Sequence, residues 1–409
     1  MGIAENTAMS RVSWLDFSED DRRKMMEVVS LFKLRETRDE LGLGSIRNAF
    51  AELFFPGTGT MQTRARYFLF VPWIYLELER KRAPSSKLWD RLKYEEVRLI
   101  RILKAQGETD GVIGSISGAS LTRFPSNIYW LGLQRWGIFR RSFSQSQYHR
   151  SLDRFYSRHK ALQATDDGEP LDAGQEFNWD PGLPRAPAGF PEDATFSLRP
   201  EEAEYLHEKL RLKCRDSMLP FLVETGIPLD RVDFPWMHPA LATFPDWLRD
   251  RLNHAQHFSE AMYGAALLYN YLLAEMDERE GLADTYRADI DGWRDMLEGR
   301  MKSFHKWDVS AFWNLVATHG RIPSLTRQFV NQWLDLVMGN GQVPDIVESK
   351  SARKLVQVRE VFLKRGRSRF LSKQHRQLWG GSAGSFQLDF RWWVARRLAN
   401  DIIRGLKGD

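Results

Sequence analysis

Ten of the residues from Lys350 to Arg376 are lysine or arginine, and one, Glu360, is acidic. Cations at this density suit phosphates, because each phosphate contact releases condensed counterions. At about 100° per residue, Leu355, Val358 and Phe362 share one helical stripe. The spacing therefore predicts a helix that docks by those three residues. It would display Lys350, Arg353, Lys354, Lys364 and Arg365 beside them, with Arg367, Arg369 and Lys373 carrying the band into the next loop. A second group of guanidiniums comprises Arg64 and Arg66, in Thr63-Arg64-Ala65-Arg66-Tyr67, with Arg123, Arg135, Arg140 and Arg141 within residues 88–141. Arginine grips phosphates and guanine edges, and Trp130 and Trp136 could stack on bases or pack in a core.

Other spacings suggest catalysis less well. Gly380-Gly381-Ser382-Ala383-Gly384 matches the G-x-S-x-G turn that presents a nucleophilic serine. A hydrolase of that class needs an acid and then a histidine later in the chain, and the last histidine here, His375, precedes the serine. Asp345, Glu348 and Lys350 supply the letters of a PD-ExK nuclease, in which acids hold a divalent cation and lysine steadies developing charge. In such enzymes a long hairpin separates the halves, whereas here they nearly adjoin. His254, His257 and Glu260 could share a helix face as metal ligands, but no second cluster supports them. Pro56-Gly57-Thr58-Gly59-Thr60 lacks the lysine of a phosphate loop. No cofactor or metal is expected.

The elements that position these residues read as helices. The chain has 409 residues, 43% hydrophobic and 28% charged, which suits a globular protein of two or three domains. Apolar residues at three- and four-residue steps predict helices over 19–34, through Ile46 to Leu53, and from Thr60 or Thr63 to Arg82 with a break or kink at Pro72. Helices are also predicted across Val97 to Leu103, from Pro125 to Gly137, from Pro200, over 259–275 as a fully buried core helix, and over 289–305, 310–319, 325–338 and 353–364. Strand-like alternation is confined to 112–117, 138–143 and 385–391. The fold class expected is mainly α: a multi-helix protein with few short strands, in which residues 88–141 form a candidate winged helix-turn-helix.

Charge divides the chain. The balance is +9 over residues 1–162, −6 over 163–200, −9 over 201–349 and +11 over 350–409. This suggests a loose leader at 1–12, a basic helical domain at 13–162, an acidic Pro/Gly-rich linker or wrapping loop at 163–200, an acidic helical domain at 201–349 and a basic helical tail at 350–409. Phe177, Trp179, Phe190 and Phe196 imply that the acidic segment lies against a domain rather than free in solvent. Basic and acidic segments could also simply neutralise each other. The single cysteine, Cys214, cannot form an internal disulfide, and no secretion signal or membrane-length apolar run is evident, so a cytoplasmic protein without membrane contact is expected.

The block TRDELGLGSIRNAFAELFFPGTGTMQTRARYFLFVPW at 37–73, with REVFLKRGRSRF and LDFRWW near the C-terminus, resembles a bacterial family catalogued only as a domain of unknown function. The resemblance implies a place beside phospholipase D-like nucleases and helicases in phage-defence neighbourhoods. Residues and resemblance together lead to one expectation: a non-catalytic nucleic-acid-binding component of an anti-phage system, with DNA favoured over RNA. A phospholipase D-like nuclease or a helicase would be its partner. The rivals are a metal-dependent nuclease and a protein-binding adaptor.

Overall fold

The computed structural model describes residues 39–163, 177–339 and 341–408. The leader expected at 1–12, the helix expected at 19–34 and part of the acidic segment, 164–176, lie outside the described residues. Among the described residues the protein is mainly α, with fourteen α-helices and no strand. The three strand-like stretches stay irregular. At 138–143 the backbone pairs only once, where Phe139 bridges antiparallel to Trp179. Phe139 instead packs its ring against Trp130 at 4.5 Å, Trp179 at 5.0 Å and Tyr148 at 5.1 Å, so the alternation serves an aromatic cluster rather than a wing ladder.

The chain forms two compact units. The larger draws on residues 44–262, 299–328 and 387–409; the other takes the described residues up to Leu43 with 263–298 and 329–386. In the larger unit, helix α1 (Gly44–Phe54) ends at Phe55-Pro56-Gly57. Gly57 has φ +79°, and a Cβ added at Gly132 would sit 2.7 Å from its carbonyl oxygen, so two bare backbones meet here. Helix α2 (Tyr67–Arg80) is buried at every residue from Tyr67 to Tyr75 and runs through Pro72 as one helix. It starts later than Thr60 or Thr63, because the Thr63 and Arg64 amides donate instead to the Tyr129 hydroxyl at 2.9 and 3.1 Å. The helices expected of a helix-turn-helix are present as α3 (Ser85–Ala105) and α4 (Pro125–Arg135), and both pack on α2.

Helix α5 (Gln145–Gln163) lies on α3. The described part of the acidic segment wraps onto α2: Trp179 stacks on Tyr75 at 5.3 Å and Phe196 meets Tyr67 at 5.4 Å. Helices α6 (Pro200–Lys213) and α7 (Leu219–Glu224) then cover the last helix of the chain, α14 (Trp392–Lys407), through its apolar side of Trp392, Val394, Ala395, Leu398 and Ile402.

Helix α8 (Asp246–Met276) gives its first part to the larger unit and, from Tyr263, its second to the smaller. No residue from Ser259 to Ala274 is exposed, as the continuous apolar pattern requires. In the smaller unit Gly264 admits the indole of Trp293 on α9 (Glu280–Phe304), where a Cβ would approach to 2.3 Å. Helix α10 (Val309–Ala317) belongs to the larger unit and packs on α1, and α11 (Ser324–Met338) brings Trp333 to Trp293. Helices α12 (Lys350–Lys364) and α13 (Lys373–Gln377) complete the smaller unit.

Candidate nucleic-acid interface

Helix α12 forms where the cationic band was expected, capped by the Ser349 hydroxyl, which accepts from the Ala352 amide at 3.3 Å. Its rotation differs from the expectation. Ala352, Val356, Arg359 and Glu360 face inward, whereas Val358 and Phe362 are 57% and 50% exposed. Two polar residues turn the helix this way because both are satisfied inside. Arg359 donates to the Leu41 carbonyl at 2.9 Å and lies over the Phe329 ring, and the Glu360 carboxylate accepts from the Ser368 hydroxyl and, at 2.8 Å, from the Arg369 amide. An apolar stripe read from periodicity alone cannot anticipate buried polar groups that carry their own partners.

The rotation sorts the tail cations into two sets. Lys364 and Arg369 converge on the buried carboxylate of Glu40 at 3.2 and 2.8 Å, and Arg369 also donates to the Tyr269 hydroxyl at 2.9 Å. Arg353 pairs with Glu275, and Arg376 with Asp277 at 2.5 Å. For these four, mutual neutralisation within the fold is the outcome. Lys350, Lys354, Arg365 and Lys373 are exposed and make no ion pair among the described residues, and Arg367 is exposed beside them. Lys350, Lys354, Val358 and Phe362 follow at four-residue steps along the solvent side of α12, with Arg365 at its end.

The earlier arginines divide likewise. Arg64 chelates Asp401 at about 3 Å, and Arg66 is buried on Glu202. Arg123 and Arg140 are exposed; Arg135, half-exposed, stands 3.9 Å from Glu52, and Arg141 is partly buried. Trp130 and Trp136 are core residues, the latter stacked on Phe68 at 3.8 Å. Helix α3 carries a further stripe, not singled out by composition, where Lys87, Arg91, Tyr94 and Arg101 are all exposed. Its signal was their spacing of four, three and seven residues.

The catalytic motifs do not assemble. Ser382 is exposed and shares a hydrogen bond with Ser385, while His375 bonds Ser372. Asp345 is tied to Arg287 at 2.6 Å; burial pushes its carboxyl up, but the guanidinium and the Val347 and Glu348 amides outweigh this and hold it below its ordinary value. His257 bonds the Asn253 carbonyl at 2.7 Å and the Ser303 hydroxyl at 2.9 Å, His254 accepts from Trp307, and Glu260 faces Arg300 at 2.9 Å. Burial pushes the Cys214 thiol up to about 12, so it stays protonated. Among the described residues no group of three metal-binding side chains converges, and no helix is long and apolar enough to cross a membrane.

Fold and surface thus define a mainly α protein that presents exposed lysines and arginines along and just beyond α12. The chain belongs to the family of unknown function DUF6361, whose profile matches residues 9–404. No curated protein and no solved structure matches it.

Proposed function

We propose that this protein is a non-catalytic nucleic-acid-binding component of a bacterial anti-phage system, cytoplasmic and working with a separate nuclease or helicase. The defence setting follows from the family resemblance of residues 37–73. The binding role rests on one observation: Lys350, Lys354, Arg365 and Lys373 stand exposed along and just beyond α12, with no carboxylate paired to any of them among the described residues. Unpaired surface cations can meet a polyanion without an internal ion pair first being broken. The stripe on α3 is a weaker candidate, because Asp90 and the Arg98 pairs with Glu95 and Glu192 interleave with its cations.

The test is charge reversal of Lys350, Lys354, Arg365 and Lys373 together, read by fluorescence anisotropy on labelled DNA. Broad loss of affinity across sequences is expected. Wild-type affinity in the variant would remove α12 from the interface.

A further inference from the structure

We infer that α12 reads single-stranded rather than duplex nucleic acid, by stacking a base on Phe362. This inference rests on the binding role proposed for the same face. Phe362 presents half of its surface to solvent although it sits on a well-packed helix whose inner side is occupied by Val356 and Arg359. Val358, one turn before it, is exposed to a similar degree. Lys354 lies one turn further back and Arg365 just ahead, so the apolar pair is bracketed by cations along the helix axis.

The occupant must therefore offer negative charge at both ends and an apolar, flat surface between them. A duplex offers phosphates, but its bases are stacked on one another and present only their edges in the grooves. A single strand carries phosphates and unstacked π-faces on the same chain, and aromatic side chains set among cations are how proteins hold it without reading sequence. From Lys350 to Phe362 the face covers about 18 Å at 1.5 Å per residue, enough for several nucleotides. A membrane surface fits less well, because an interfacial helix needs a broad apolar side and α12 offers two residues.

Full-length protein is titrated against a labelled oligothymidylate and against a duplex of equal length. Phe362→Ala is expected to weaken single-strand binding roughly tenfold, the effect of losing one stacked base, with duplex binding unchanged and Phe362→Trp restoring affinity. Lys350→Glu with Lys354→Glu should weaken both ligands. Because Phe362 is half-exposed, thermal melts of the alanine variant should match wild type, which separates binding from folding. If Phe362→Ala leaves the oligothymidylate affinity intact while the lysine variant loses it, stacking is wrong and the nucleic-acid reading stands. If neither variant changes binding, that reading falls as well. Sedimentation with phosphatidylserine vesicles that depends on Phe362, while oligothymidylate binding does not, would overturn the inference in favour of a lipid surface.

Discussion

Arg66 and Glu202 face each other through two parallel hydrogen bonds, Nε to Oε2 and Nη2 to Oε1, each 2.9 Å long, with both side chains almost fully buried. The fork matches the carboxylate as it would a phosphate, so an arginine that reads as a nucleic-acid contact is instead a tie inside the larger unit. Arg66→Ala would strand a buried carboxylate, still touched by the Arg199 Nε at 2.7 Å. A destabilisation of about 3–5 kcal/mol is expected in urea unfolding, with DNA affinity of the folded protein unchanged. A variant that folds normally but binds DNA less would return Arg66 to the interface.

Glu96 gives the stability a downward slope with pH. Its carboxyl is buried among apolar side chains and accepts from the Ser126 amide and hydroxyl at 2.7 and 3.0 Å. Burial pushes it up from 4.5 to about 8, against the pull of both bonds. Below 4.5 the folded and unfolded states both hold the proton, and the full contribution is present. Between 4.5 and 8 unfolding releases that proton, so stability falls by about 1.4 kcal/mol per pH unit from this group. Glu96→Gln should lose this slope and gain on wild type as pH rises from 5 to 8. Urea midpoints that run parallel for the two proteins would refute the assignment.

His257 acts in the opposite sense. Burial lowers its ring to about 4, helped by the nearby Arg300 and His254 charges. As pH falls from 6.5 towards 4, the unfolded chain takes up a proton that the folded ring refuses, and stability is lost. Ring resonances in NMR should therefore report a neutral imidazole down to about pH 5. A midpoint near 6.5 would contradict the buried, bonded environment described for it.

The nuclease-like motif should be silent. Plasmid incubated with the protein and magnesium or manganese should stay intact, since Asp345 is committed to Arg287 and no acidic cluster completes a site among the described residues. Cleavage that disappears in Glu348→Ala would make the protein an enzyme.

Much of the helical frame was legible because core helices announce themselves. The run from Ser259 to Glu275 is apolar on most sides and proves unexposed as far as Ala274, and Pro200 opens its helix as its fixed φ allows. The binding face was legible only in composition. Periodicity selected Leu355, Val358 and Phe362 as the inner stripe, yet Arg359 and Glu360 take that place because the distant Leu41 carbonyl bonds the first, and Ser368 and Arg369 in the following loop bond the second. Which cations were free could not be read either, since Glu40 lies over three hundred residues before the Lys364 and Arg369 it neutralises. Long-range pairing of this kind leaves no trace in local spacing.

The most direct measurement is the salt dependence of oligothymidylate affinity, compared between wild type and a variant with Lys350, Lys354, Arg365 and Lys373 all changed to alanine. For single strands each lost phosphate contact should flatten the log–log slope by about 0.7, so the variant should lose roughly three units of slope together with affinity at low salt. Identical slopes in the two proteins would show that these four side chains meet no phosphate and would remove α12 from nucleic-acid binding.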